Sequence, residues 1–339
     1  MEFYPTQYEV VADGLGDAIT DLLVPVPSVR LLQFPAFTQL TGGFRPNEFT
    51  ILCGSTGTGK TTLLANWSDA LIGQEVPHFV ASVETGRHDF IRRIISARVG
   101  RDWNTGDAVP LAEIKAALNQ SEQDRIKRAK LYLSLYENRF SIEQLIHDIE
   151  FMVDTHGVKV CFIDNLNFFM EVTAVQQAIV EMDRVIHELI MFCKRCNVHI
   201  VMVMHPKKTV DGRVESEFDI KGSSTSVQEA QNVILFNRPK EQFIDEGIAT
   251  WGDREITIAK MRRRGSAVGA KIILQGIDGV QYKEGAVVCR NKAVQNGLNN
   301  HSNGSNMKSF QTTSKVASSG STRSMMERGA RVRKDSSAD

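Results

Sequence analysis

Residues 54–61 read Gly54-Ser55-Thr56-Gly57-Thr58-Gly59-Lys60-Thr61, the G-x-x-x-x-G-K-T spacing of a phosphate-binding loop. The residue types explain the chemistry. Glycines let several backbone N–H groups converge on one point, a lysine brings a point charge to the phosphates, and the next hydroxyl can ligate a divalent cation. The flanks suit the loop. Phe49-Thr50-Ile51-Leu52-Cys53 is a short apolar run, and Thr61 to Leu71 reads as a helix carrying Leu63, Leu64, Trp67 and Leu71. A strand, a glycine turn and a helix start leave unpaired N–H groups at the positive end of the helix dipole. The expected ligand is therefore a nucleoside triphosphate with Mg²⁺, cradled by Gly54 through Thr62. Lys60 would reach the β- and γ-phosphates, and the Thr61 hydroxyl would hold the metal. A glycine-rich turn that binds nothing is the plain alternative, and the complete motif between strand and helix argues against it.

Other candidates sit at the ends of apolar runs. His78–Val83 is followed by Glu84. In an open α/β sheet ligands bind at the carboxyl ends of strands, so Glu84 is either a base for the attacking water or a solvated charge. Val158–Ile163 ends in Asp164-Asn165, and an acid at a strand end beside a phosphate loop suits Mg²⁺ or its water shell. His199–Met204 runs into His205-Pro206-Lys207-Lys208. A polar group there can contact the γ-phosphate and report its loss to segment 207–222, which holds Lys207, Lys208, Arg213, Lys221 and Gly222 among Glu215, Glu217 and Asp219. From the residues alone that segment is a mixed-charge surface hairpin or a loop for a nucleic-acid backbone, and the hairpin is the simpler reading. Lys260-Met261-Arg262-Arg263-Arg264 places four basic residues in five at a strand tip, suited to a phosphate or to a neighbouring subunit's nucleotide site.

The elements that must position these groups alternate. Strand-like runs at Phe49–Cys53, His78–Val83, Leu131–Leu135, Val158–Ile163, His199–Met204, Val233–Phe236, Glu255–Ala259 and Lys271–Leu274 are interleaved with helical patterns at Ile91–Val99, Ile142–His156 and Gln177–Cys193. The early runs are apolar throughout, as in parallel strands buried on both faces. The later ones succeed each other with little helix between. The expected fold is α/β: a P-loop NTPase core of mostly parallel, twisted sheet flanked by helices, with an antiparallel C-terminal edge. Residues 1–30 read as a lead-in with a possible helix at Asp17–Leu23, and prolines 25, 27 and 35 break the stretch after that helix. Residues 31–285 read as the ATPase domain, and 286–339 as a disordered Ser/Asn-rich basic tail.

The chain has 40 basic and 40 acidic residues, but the tail carries nine basic against three acidic. The tail is therefore +6 and the remainder −6. Affinity for nucleic acid must then come from local loops or the tail rather than from bulk charge. No apolar run approaches the ~20 residues of a membrane helix. Five scattered cysteines include Cys193-Lys-Arg-Cys196, with no second pair to complete a zinc site, and a reduced intracellular protein is the plainer expectation.

In this order the motifs resemble the ring-forming replicative helicases of the RecA-like superfamily, most closely the Twinkle mitochondrial helicase and the helicase half of phage primase–helicases. The likeness spans about 34–285. Besides the phosphate loop it rests on Phe34-Pro35-Ala36-Phe37-Thr38 with Gly42-Gly43, Ile163-Asp164-Asn165-Leu166-Asn167-Phe168 and Asn197-Val198-His199-Ile200 through Lys208. Gly222-Ser223, Gln228-Glu229-Ala230 and the Lys260-x-Arg262 pair complete it. A histidine at 205, where bacterial replicative helicases carry glutamine, favours the Twinkle and phage branch.

The resemblance implies roles. Glu84 is the catalytic base, Asp164 the acidic metal partner and His205 the γ-phosphate sensor. Lys260 and Arg262 are a pair inserted in trans into the adjacent subunit, with Arg263 and Arg264 as neighbouring candidates for the finger. Lys207, Lys208, Lys221 and Gly222 belong to a loop gripping single-stranded DNA, each neutralised phosphate adding about 0.7 to the logarithmic salt slope. The implied cofactors are ATP (or dTTP) and Mg²⁺. The implied assembly is a homo-oligomeric, hexameric ring on single-stranded DNA, working with a separate primase or polymerase and without a membrane. A RecA-like recombinase or recombination mediator is the alternative activity. A virus-encoded protein in the host cytoplasm is the expected setting, with mitochondria as the alternative. The short lead-in offers little of the linker helix by which such rings assemble.

Overall fold

A computed structural model describes residues 19, 27–82, 85–103, 108–134, 141–165, 175–207, 213–221 and 224–289. The elements are α1 (Pro35–Thr41), β1 (Phe49–Cys53), α2 (Lys60–Gly73), β2 (His78–Ser82), α3 (Arg87–Val99), α4 (Leu111–Ala117), α5 (Gln120–Ala129) and β3 (Leu131–Leu133). They continue with α6 (Ile142–His156), β4 (Val160–Asp164), α7 (Val175–Cys196), β5 (His199–Met204), α8 (Ser224–Glu229), β6 (Asn232–Asn237), α9 (Glu241–Asp245), β7 (Arg254–Met261), β8 (Lys271–Ile277) and β9 (Gln281–Val288).

The strands form one sheet in the order β3-β2-β4-β5-β1-β6-β7-β8-β9. Neighbours from β3 to β6 run parallel. From β6 through β9 each pairing is antiparallel. The expected mixed sheet is therefore present, with a ninth strand. Gln281–Val288 carries Gln, Lys, Glu and Gly through its first five positions, so it lacks the dense apolar signature of the central strands.

Both faces of the sheet are buried, which is why the central strands read as continuous apolar runs. Leu52, Phe162, Val201, Val203, Ile234 and Phe236 pack with Phe37, Phe44 and Trp67 on one face. Their chain neighbours Ile51, Cys53, Cys161, Ile163, Met202 and Leu235 pack with Ile149, Val185 and Leu189 on the other. The period of two along each strand thus divides one sequence between two cores. Cys193 belongs to the second core, and Cys196 packs at its margin with its thiol toward Glu150.

Pro35 starts a helix where the sequence suggested a break. Proline's fixed φ suits a first helical turn, where its missing N–H is not needed. The Ala36 and Phe37 N–H groups donate to the Glu284 carboxylate at 2.6 and 2.7 Å, tying β9 to the start of α1. The suggested Asp17–Leu23 helix and the 286–339 tail fall outside the described residues, apart from Ile19, which is helical, 286–288, which belong to β9 rather than to a tail, and Cys289 just past it.

Three buried groups set a pH dependence. Burial holds the His78 and His199 imidazoles down at about 4. His199 is fully served while neutral: its Nδ1–H donates to the Arg45 carbonyl at 2.7 Å, and its Nε2 accepts from Thr50 at 3.0 Å. A lowered histidine pKa contributes stability above pH 6.5 that is lost as pH falls toward 4. Glu284 has the opposite sign. Burial pushes it up to about 7 against the pull of the two amides, so its contribution is lost as pH rises from 4.5 to 7. Among these three groups two histidines outweigh one carboxyl, together losing about 1.4 kcal/mol per pH unit between 6.5 and 4.5. Thermal denaturation at stepped pH should show the Tm falling across that window, and falling more steeply in Glu284→Gln.

Candidate nucleotide site and its surroundings

The phosphate loop leaves β1 at the centre of the sheet, between β5 and β6. Gly54 abuts β6 so closely that a Cβ there would lie 2.3 Å from the Phe236 carbonyl oxygen. Gly59 has φ +92°, and a Cβ on it would meet the Tyr282 hydroxyl at 2.6 Å. No other residue type fits either place without moving backbone or a buried phenol. Thr56 and Gly57 are exposed at the loop tip, while Gly54, Thr58, Lys60 and Thr62 are buried and Ser55, Gly59 and Thr61 lie between. The Lys60 ammonium donates to the carbonyls of Gly54 at 2.7 Å and Ser55 at 3.0 Å, so its charge lies against the inside of the loop.

The acid at the end of β4 is where the phosphate loop needs it. Thr61 Oγ1 donates to Asp164 Oδ2 at 2.6 Å, joining the first turn of α2 to the end of a strand more than 100 residues away. The pairing of β4 with β5, and of β5 with β1, creates this meeting. Asp164 is 2% exposed, and the next residue reaches the next strand end: the Asn165 amide donates to His205 Nε2 at 3.2 Å, which places the histidine proton on Nδ1. Glu84 lies outside the described residues. Its strand β2 places Ser82 beside Asp164 in register.

His205 is joined to both ends of the segment beyond it. Its carbonyl accepts from Lys221 N–H at 3.1 Å, Pro206 bridges to Ile220, and Lys207 N–H donates to the Asp219 carbonyl at 2.7 Å. The Lys207 ammonium rests on the Phe218 carbonyl at 2.9 Å, and Lys221 is exposed. Asp219 closes a capping box over Ser216. The described part is thus a hairpin base with acidic and basic groups interleaved. Lys208 and Gly222 lie outside the described residues.

The basic run at the end of β7 sits elsewhere. Because β7 is antiparallel to β6, Met261 pairs with Asn232 at the edge of the sheet opposite the phosphate loop. Arg254, at the start of the same strand, touches the loop, so Lys260 lies about 20 Å from it along the strand. Lys260 and Arg262 share one face of the strand. The Lys260 ammonium donates to the carbonyls of Val227 and Gln228 at 2.9 and 2.6 Å, and Arg262 donates to Gln228 at 2.5 Å. Burial, then the charge of Arg262, lowers the Lys260 pKa. Arg263 points the other way, with Nε 3.1 Å from the buried Glu48 carboxylate, and Arg264 donates to the Gln39 carbonyl. The three arginines thus have different partners in their own chain: Arg262 shares the Gln228 carbonyl with Lys260, Arg263 meets Glu48 and Arg264 meets Gln39.

Two residues at the loop carry no signal in the sequence. Arg254 Nε donates to the Thr58 carbonyl at 2.7 Å, and Tyr282 lies against Gly59. They are 196 and more than 220 positions from the loop residues they touch, and only the order of β6 to β9 brings them there.

A phosphate loop at the centre of a β5-β1-β6 arrangement, with the β4 acid against its threonine, defines a RecA-like P-loop NTPase. Residues 32–276 match the family described as the DnaB-like helicase C terminal domain, and the chain belongs to that family. It is an NTP-hydrolysing helicase. Two solved structures share its fold. One, an isolated ATPase domain, superposes with a TM-score of 0.61 at 15% identity, over 82% of this chain and 99% of that one. The other, a DnaB-like replicative helicase determined with its interactions with primase in view, gives a TM-score of 0.66 at 15% identity, over 82% of this chain and 67% of that one. Among the described residues no helix is long and apolar enough to cross a membrane.

Proposed function

We propose that this chain is the motor subunit of a ring that uses a nucleoside triphosphate, ATP or dTTP, to translocate on single-stranded DNA and unwind duplex. The observation that carries this reading is the 2.6 Å contact between Thr61 and Asp164, with Asn165 and His205 continuing from it. A hydroxyl and a carboxylate are hard oxygen donors and fit Mg²⁺ completed by phosphate oxygens. Bound there, the cation would neutralise charge developing on the phosphates. Lys60 holds the β- and γ-phosphates. Glu84, just past the strand beside Asp164, takes the proton of the attacking water. His205 senses the γ-phosphate, and its carbonyl bond to Lys221 and the Lys207–Asp219 bond link that sensor to the 207–222 segment. Lys207, Lys208, Lys221 and Gly222 hold the DNA backbone there.

Lys260 and Arg262 are too far from their own phosphate loop to serve it, which supports their insertion into the next subunit's site. A heterologous contact of that kind closes into a ring when the rotation between subunits divides the circle and otherwise gives a filament; our reading is a closed ring of six. A separate primase or polymerase is the expected partner. We assign the protein to the host cytoplasm as a virus-encoded component, with mitochondria as the second possibility.

Strand displacement on a forked duplex tests the activity. Unwinding should occur with a hydrolysable nucleotide and Mg²⁺ and cease with a non-hydrolysable analogue. Homology-dependent strand pairing without unwinding would sink the helicase motor.

A further inference from the structure

We infer that Arg254 is a positioning residue for the phosphate loop, acting with Tyr282 to fix which way the Thr58 peptide faces. The inference rests on the nucleotide-binding reading of the loop and adds a group that the motif does not contain.

A phosphate loop works only if its N–H groups point inward and its carbonyls point away, because a carbonyl oxygen facing a phosphate repels it. Gly57 and Gly59 both have positive φ, at +77° and +92°, so the Thr58 peptide lies between two residues of unusual backbone freedom. Something must hold it. Arg254 Nε takes the Thr58 carbonyl at 2.7 Å from outside the loop, and the Thr58 hydroxyl donates to the Ser55 carbonyl at 2.8 Å from within.

The guanidinium is itself fixed. Its NH1 donates to the Gly252 and Asp253 carbonyls at 3.1 and 2.7 Å, leaving the fork a single orientation. The Tyr282 phenol lies beside the Arg254 side chain at Gly59 and fills the space that a Cβ there would need. Tyr282 is anchored in turn: its N–H donates to Asn66 Oδ1 at 2.8 Å, while the Asn66 amide donates to Thr62 and Val280 carbonyls, both at 2.8 Å. The ring packs edge-on against Phe236, whose carbonyl abuts Gly54. Strands β6, β7 and β9 thus form a rear wall that touches the loop at Gly54, Thr58 and Gly59 and grips the helix after it at Asn66. A charge-assisted bond with this geometry is planar and directional, which suits arginine better than lysine.

The test uses Arg254→Met, which keeps the apolar stem and removes the fork, and Arg254→Lys, which restores a cation. Affinity for a fluorescently labelled Mg-nucleoside triphosphate, steady-state kcat and KM, and Tm are measured on each full-length variant. The Kd and KM of Arg254→Met should rise on the order of 10–100-fold, with most of the loss in KM, and Arg254→Lys should recover part of it. A merely structural arginine would lower Tm and leave the Kd of the folded protein unchanged. Folded Arg254→Met with a Kd within twofold of wild type would overturn the inference. If Arg254→Met does not fold, Tyr282→Phe decides: a several-fold rise in Kd is expected, and an unchanged Kd overturns the inference. Wild-type protein that binds no nucleotide would instead defeat the reading on which it rests.

Discussion

Lys60→Ala should lose hydrolysis by a factor on the order of 10³ or more, the largest effect of any single substitution in this chain. The ammonium is buried and aimed into the loop, where its charge acts in a medium that screens it poorly. Its two carbonyl partners are loop backbone held from behind by β6, β7 and β9, so the fold should survive its removal with a small change in Tm. The two effects can be separated by measuring Tm with and without Mg-nucleotide. Wild type should gain stability in proportion to the logarithm of ligand concentration, and Lys60→Ala should gain almost none. Wild-type turnover in Lys60→Ala would remove the loop from the chemistry.

The second large effect concerns a residue remote from the loop in its own chain. Arg262→Ala should reduce kcat on the order of 10³-fold in assembled rings while nucleotide affinity stays within a few-fold, because a finger acts on transition-state charge rather than on ground-state binding. Arg263→Ala provides the contrast. It removes a cation from the buried Glu48 carboxylate, so it should lower Tm and leave turnover per folded ring near wild type. Single-turnover hydrolysis and calorimetry on the two variants check both outcomes. Equal losses of turnover in the two would mean that the strand tip acts as a unit and that Arg262 has no separate role.

These expectations were unequally legible in the sequence. The phosphate loop, the strand before it and the acid ending β4 depend on local spacing and on continuous apolar runs, and they stand where the residues placed them. The mixed sheet was legible for the same reason: apolar runs separated by helices, then strands without helices. The features that stayed hidden depend on long-range topology or on weak local signals. Gln281–Val288 is a strand because β8 pairs with it, not because its residues demand it. The α1 helix was concealed by a proline that starts it. Arg254 and Tyr282 gave no sign of their place, since an arginine and a tyrosine on late strands acquire meaning only once the sheet order is known. The choice among three consecutive arginines was open in one dimension. Just past the end of β7, Arg262 bonds the same Gln228 carbonyl as Lys260, and Arg263 meets Glu48, a difference in surroundings that no local spacing announced.

A nucleotide site shared between two subunits lets two dead variants complement each other. Lys60→Ala subunits have no working loop but keep their finger, while Arg262→Ala subunits have the loop and lack the finger. Mixed one to one before assembly, they should regain about a quarter of wild-type DNA-independent hydrolysis, the share of interfaces that pair an intact loop with an intact finger. A mixture as inactive as either variant alone, in rings shown by native mass to contain both, would contradict the account.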